Sequence, residues 1–364
     1  MSTVLDDTVL ADPAALAAVD TTGVLRSAAT AGAQVRSAAH TAAEAGVPSL
    51  EGARPRALVF LRRPGTSGAA AELLTALLGP QCPVPIVVAD TAPSWVGALD
   101  VLVAHSADAT DMELAESVGR AVSRGAEVVL SVPTDGPVAS AGAGRARLLE
   151  PRIPVPPALD LPRALAVGLT VVAALGLFAV DPGLDALADA LDAEAERNQP
   201  GNEPFMNPAK SLALRLAEHT PLLWGTDPAA TAVAGHAATA LATHAGVVAH
   251  SAAVAQAATA IGLARALALT ARGADVFRDP FEDPADGADA PPPRLVLLAT
   301  GEEDPEQVAM RLTGRTWPAD LAHPVEEIAR GTRHAALLRA ALLAARADSA
   351  AIYLGLATRT IEPA

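Results

Sequence analysis

The chain has 364 residues, enough for two ordinary domains. Of these, 51% are hydrophobic and only 2% aromatic, so any core is built from Ala, Leu and Val in many small contacts. A formal net charge of −15, with no Lys/Arg cluster, excludes a nucleic-acid backbone as partner, because that needs a basic face to displace counterions. The single cysteine, Cys82, excludes a disulfide framework or a CxxC metal site within one chain and fits a reducing cytoplasm.

The stretch MSTVLDDTVLADPAALAAVD is acidic and lacks the basic region of a signal peptide. Residues 10–46 carry an Ala-rich helical period ending near Gly46-Val47-Pro48, which predicts an N-terminal helical segment over 1–48. Short apolar runs then alternate with helices: Arg56–Leu61, the turn RRPGTSG and a helix, VPIVVAD, DVLVAH, a helix over 111–124, and AEVVLSV. Fully apolar strands separated by helices predict a parallel sheet covered on both faces, a doubly wound domain over 49–152. Residues 153–210 read as a Pro-rich linker followed by inter-domain helices. One of them, Ala164–Val180, has 17 residues without a charge, at the lower limit for a membrane span; with Pro162 before it, Pro182 after it and no aromatic belt, it reads as a buried helix, and no membrane is expected.

Asn207 is a good N-cap with Pro208 at the first helical position, and PLLWG predicts the next strand. A second alternation fills 211–364: a helix over 228–244, the strand AGVVAHS, a helix over 252–272, the strand ADVF at 274–277, an acidic Pro-rich loop over Asp279–Pro293, the strand RLVLLAT, and helices over 304–314 and 324–357.

The chemistry-bearing residues lie in turns that open helices. Gly65, Thr66 and Ser67 suit an anion-binding turn, with Arg62 and Arg63 adding charge, or a plain strand-to-helix turn. Ser106-Ala107-Asp108-Ala109-Thr110 opens the next helix, with Asp108 as a candidate N-cap. VAHS occurs at 103–106 and at 248–251, placing His105-Ser106 and His250-Ser251 at the C-terminal ends of strands, where open α/β sheets hold ligands. His244 stands at the other end of the second of these strands, and a neutral imidazole is a base near pH 7. The histidines at 219, 236, 323 and 334 lack metal-ligand spacing, and neither a Walker loop nor a dinucleotide fingerprint is present. No metal and no cofactor are expected.

These motifs resemble the SIS (sugar isomerase) domain. The two halves, the connecting helices and NPAKSLALRLA resemble the bifunctional phosphoglucose/phosphomannose isomerase family, and more closely its divergent TobH-like branch. As in that family, Asn207–Ala213 precede a strand ending in Gly, here Trp224-Gly225, and the closing helix carries an Asp and a Tyr-Leu pair, in ARADSAAIYLGLATRT. The resemblance implies two SIS-like α/β domains, a cytoplasmic homodimer, and a phosphorylated hexose held by Gly65, Thr66, Ser67, Ser106 and Thr110, with His244 and His250 as further candidates. Thr110 fits the final Thr of the family's Ser-x-Ser-Gly-Asn-Thr loop, but Asp108 replaces its Gly and Ala109 its Asn. An ionised Asp108 and Asp111 would repel a phosphate by several kcal/mol or so at an effective dielectric of about 20.

The family's base, a Glu, falls on Thr243; its second Glu/His stretch falls near AAVAQAATA; and its closing Lys is missing. No catalytic residue is assigned on this basis. The expected function is therefore binding of a sugar phosphate with weak, altered or absent isomerase activity. The alternative is a non-catalytic scaffold or regulatory partner of sugar-phosphate or sugar-nucleotide enzymes.

Overall fold

The computed structural model describes residues 5–80, 82–178, 183–273 and 291–361. The strand expected at 274–277 and most of the acidic loop at 279–293 lie outside the described residues. The chain forms two compact units, one of residues 26–195 and the other of 1–25 with 196–364.

Four helices lead in: α1 (Asp7–Ala11), α2 (Pro13–Val19), α3 (Val24–Ala28) and α4 (Ala31–Glu44). The first sheet follows as β1 (Ala57–Leu61), α5 (Ser67–Leu78), β2 (Ile86–Ala89), β3 (Asp100–His105), α6 (Met112–Ser123), β4 (Glu127–Ser131), α7 (Pro137–Gly142) and β5 (Arg147–Leu148). All pairings are parallel, in the order β2-β1-β3-β4-β5. Side chains alternate across the pleat. Val59, Leu61, Leu102, Ala104, Val128 and Leu130 face a cluster with Leu114 and Val118 of α6 and Val138 of α7. Phe60 points the other way, toward α5 and α8 (Leu161–Ala174). Helices thus cover both faces, which is why β1 and β3 read as unbroken apolar runs.

The charge-free stretch Ala164–Val180 becomes α8, shorter than expected and packed on α4 and α5. Its close approach depends on Gly168, where a Cβ would lie 2.1 Å from Leu74 Cδ1. The acidic helix α9 (Leu184–Arg197) follows, and Arg36 on α4 pairs with its Asp189 and Asp192.

The other unit contains α10 (Pro208–Leu216), β6 (Thr220–Gly225), α11 (Pro228–Ala245), β7 (His250–Ala253), α12 (Val254–Ala257), α13 (Ile261–Gly273), β8 (Pro293–Leu298), α14 (Pro305–Thr313), β9 (Asp320–Ala322) and α15 (Ala335–Ala357). Its strands pair in parallel in the order β7-β6-β8-β9. Both expected doubly wound parallel sheets are therefore present. Asn207 caps α10 by accepting from Lys210 N, with Pro208 in the first turn, as the sequence predicts.

Two elements depart from expectation. The strand expected over 245–251 begins only at His250, because Gly246 takes a left-handed conformation that ends α11, and Val247 N donates back to Leu241 O at 3.2 Å. The helix expected over 324–357 begins at Ala335, after left-handed residues at Gly331 and His334. Among the described residues, α15 alone is long and apolar enough to cross a membrane, and its apolar window is 83% buried inside the protein.

Candidate functional site

In the first sheet the chain leaves β1 toward β2 on one side and takes β3 on the other. The turns after β1 and β3 therefore launch α5 and α6 to opposite faces and leave a crevice between them, the usual ligand position in a doubly wound sheet. Gly65, Thr66 and Ser67 lie in the first turn, Ser106 and Thr110 in the second.

Gly65 is exposed with φ +104°, a backbone that favours glycine. Thr66 and Ser67 are each 6% exposed, and their hydroxyls turn away from α5. Thr66 Oγ1 donates to Asp160 Oδ1; Ser67 Oγ accepts from Arg63 N at 2.7 Å and donates to Arg63 O at 2.9 Å. Neither hydroxyl caps α5, so its first amides receive no side-chain acceptor. Both hydroxyls are thus bonded inside the protein.

In the second turn Ser106 is buried, and its Oγ accepts from Asp108 N at 3.1 Å. Asp108 Oδ1 accepts from Thr110 N and Thr110 Oγ1, at 2.8 and 2.7 Å, a local Asx turn. The cap of α6 is Asp111, which accepts from Leu114 N at 2.9 Å, rather than the expected Asp108. Arg63 joins the two turns. Its Nε and Nη2 meet both Asp111 oxygens, at 2.7 and 3.0 Å, and Nη2 also meets Glu113 at 2.9 Å. Burial works against the Asp111 charge, but the Arg63 bonds and the Leu114 amide outweigh it and hold the carboxyl below its ordinary pKa. Asp111 thus belongs to an ion pair, which offsets the repulsion expected of it, while Asp108 stays exposed.

Beneath these turns lies a buried polar network. Asp160, 1% exposed, accepts from Thr66, from His105 Nε2 at 2.9 Å and from Arg163 Nη2 at 2.9 Å. His105 Nδ1 lies 3.0 Å from Ser131 Oγ. A neutral His105 then carries its proton on Nε2 and accepts from Ser131, a tautomer assigned from the bonding. Burial disfavours the Asp160 charge, yet His105, Thr66 and Arg163 together hold its pKa down. Hydroxyl, imidazole and carboxylate follow one another as in a nucleophilic triad, but Ser131 is 1% exposed, out of a substrate's reach. Asp160 was not legible as a site residue, since its partners Thr66 and His105 stand 94 and 55 residues away in the chain.

The other sheet has its own switch point, between β6 and β8. Here Asp227 caps α11 through Ala230 N at 2.8 Å. It also accepts from Thr300 N, Thr300 Oγ1 and Gly301 N, at 2.8, 2.7 and 3.2 Å. Fully buried Arg339 secures the same turn by donating to Thr300 O and Gly301 O. A carboxylate therefore occupies the place an anion would take.

His244 lies in the last turn of α11, 8% exposed, with Nε2 unpartnered. His250 opens β7 instead of closing a strand, and its Nδ1 accepts from Trp224 Nε1 at 3.2 Å. The late start of β7 thus removes His250 from the ligand-binding edge of its sheet. Lys210 of the NPAK segment is 1% exposed, donates to Pro200 O and Asn202 O at 2.7 and 3.0 Å, and lies 5.6 Å from the Tyr353 ring. Burial draws its pKa down against the pull of Glu203. It serves as a clamp on the 198–207 turn.

Residues 205–363 match the family described as bacterial phospho-glucose isomerase C-terminal SIS domain. That match covers the C-terminal part of the chain, from just before α10 through α15. In fold, this chain is similar to a phosphosugar isomerase-like protein from Silicibacter pomeroyi, with TM-score 0.59, 16% identity, and 94% of this chain and 99% of that one covered. It is also similar to the C-terminal domain of glucosamine-fructose-6-phosphate aminotransferase from Francisella tularensis, with TM-score 0.57, 10% identity, and 92% and 94% covered. A phosphosugar isomerase-like protein from Salmonella typhimurium gives TM-score 0.57, 14% identity, and 89% and 93% covered. At these identities the likeness is one of fold. No curated protein matches the chain in sequence.

Proposed function

We propose that this protein binds a phosphorylated hexose or related sugar derivative at the β1–β3 crevice, with isomerase activity weak, altered or absent. The observation that carries the reading is the start of α5. It opens at the switch point beside exposed Gly65 with no side-chain cap; α4, α7, α8, α12 and α15 also lack one, but α6 across the crevice and α11 at the other switch point are capped by Asp111 and Asp227. A helix N-terminus carries about half a positive charge and unpaired donors, which suits a phosphate dianion. Arg63, at the rim, is already paired with Asp111 and Glu113, so the backbone amides carry the attraction.

The reading of weak catalysis rests on position 243, where the family's base falls. Thr243 has no carboxylate, and its hydroxyl donates to Thr239 O along α11. By likeness to the family, the protein acts as a cytoplasmic homodimer. A scaffold role is the second reading, favoured by Asp227 closing the other switch point and by Asp108 exposed in the β3–α6 turn.

Thermal melting with glucose 6-phosphate, fructose 6-phosphate and mannose 6-phosphate separates the two. A ligand at a hundred times its dissociation constant adds about 2.7 kcal/mol of stability. A rise in melting temperature with one of the three is expected, and flat melts with all three favour the scaffold. A coupled isomerase assay of wild type, His244→Ala and His250→Ala completes the test. Equal rates are expected, since neither histidine reaches the strand ends of its sheet.

A further inference from the structure

We infer that Asp160 is a positioning residue that keeps the α5 N-terminus open for an anion by holding the Thr66 hydroxyl away from it. This rests on the proposed anion reading of the β1–α5 turn. Threonine at the start of a helix ordinarily takes an extended backbone and lets its hydroxyl accept from an amide of the first turn. Thr66 does neither. Its dihedrals are φ −91° and ψ −7°, and its hydroxyl donates to Asp160.

Asp160 is well placed to hold that arrangement. It stands at the start of α8 but does not cap it, so the whole carboxylate serves the network. His105 anchors it from the end of β3, and Arg163 from the first turn of α8. Ser131, at the end of β4, fixes the far side of His105. The start of α5 and the end of β3 are thereby tied to one carboxylate, and the end of β4 is tied to it through His105. The network also holds a donor in reserve: the Arg163 side chain is 9% exposed, and its Nε has no protein partner.

Released from Asp160, Thr66 can move into the extended region and cap α5 itself. The amides meant for the ligand are then taken by its own oxygen. Replacing Thr66 with valine removes that competitor and leaves the amides free. The sign of the second substitution therefore separates positioning from mere support of the fold.

Calorimetric titration with inorganic phosphate and with glucose 6-phosphate tests this on the full chain. Asp160→Asn is expected to weaken binding about tenfold, the worth of a threonine cap. Thr66→Val sets the reference affinity of a turn without the hydroxyl, and Asp160→Asn with Thr66→Val is expected to match that reference. Asp160→Glu, which retains a charge for His105 and Arg163 while displacing the oxygen that meets Thr66, gives the same comparison if Asp160→Asn does not fold. Losses that persist or multiply in the double variant overturn the inference, as does unchanged binding by both Asp160 variants. If wild type binds neither probe, the anion reading of the turn fails, and this inference with it.

Discussion

His236 and His244 lie two turns apart on α11 and share the buried surface against α15. His236 Nε2 is 2.8 Å from Asp348 Oδ1, with the two side chains 6% and 7% exposed. Burial alone would lower the His236 pKa, but the Asp348 charge and hydrogen bond overcome it and raise the value. His244 goes the other way: burial lowers its pKa by more than the nearby Asp348 charge raises it, and His236 adds a smaller push downward. The two stability contributions therefore have opposite signs. That of His236 is complete below the unfolded pKa of 6.5 and is lost as pH rises through the higher folded value. That of His244 is present above the same unfolded value and is lost as pH falls through the lower folded one. Removing one histidine should expose the other. Unfolding free energies measured from about pH 5 to about pH 8 should rise with pH in His236→Gln and fall with pH in His244→Gln, by at most about 1.4 kcal/mol per pH unit for each proton. Parallel profiles in the two variants would rule out this assignment.

The packing of α11 on α15 depends on an absent side chain. A Cβ at Gly355 would lie 2.0 Å from His244 O and 2.9 Å from His244 C, and both atoms are backbone. In an exposed helix interior, Gly→Ala gains about 1 kcal/mol of propensity. Here the helices would have to separate, and overpacking of a core costs about 1–3 kcal/mol. Gly355→Ala is therefore expected to destabilise despite the propensity, while Gly119→Ala on α6, where a Cβ meets nothing within 4 Å, should stabilise. Melting both variants checks the sign of each; a more stable Gly355→Ala would mean the two helices can move apart freely. The sequence shows an Ala-rich helix at 228–244 but not which of its neighbours must be glycine, because that depends on a helix a hundred residues on. The same limit explains the site. Strands β1, β3, β4, β6 and β8 were legible as apolar runs, and the turns after them as places for ligands. β7 was misplaced because His250–Ala253 carries no apolar run, and the Val247-Val248 pair that suggested a strand belongs to the cap of α11, where Val248 is 83% exposed. The inward turn of the Thr66 and Ser67 hydroxyls was not legible either. Thr66 finds its acceptor in the start of α8, which local pattern cannot pair with β1.

At the scale of the whole chain, the first 25 residues belong with the C-terminal half and not with the sheet that follows them in sequence. The segment read from sequence as one helical lead-in over 1–48 is thus divided: α1 and α2 pack against α15, and α4 packs against α8. Asp6 N donates to Ala357 O at 3.1 Å, and Leu10 and Leu16 are both fully buried. Burying a leucine is worth about 1.5–3 kcal/mol, an upper figure because unfolded chains already bury part of it. Two such residues supply a large share of the 5–15 kcal/mol or so that holds a typical domain together. Their loss should fall on one unit only. A chain beginning at residue 26, or the milder Leu10→Ala with Leu16→Ala, is expected to melt in two steps, with the 196–364 unit lowered and the 26–195 unit unchanged. Trp224, 0% exposed, and Trp317 beside it, with ring centroids 5.3 Å apart, report the first step by fluorescence, while circular dichroism follows both. A single unshifted transition would show that the leading helices add nothing to the stability of the unit they join. A single transition lowered as a whole would show that the two sheets unfold together and share the loss.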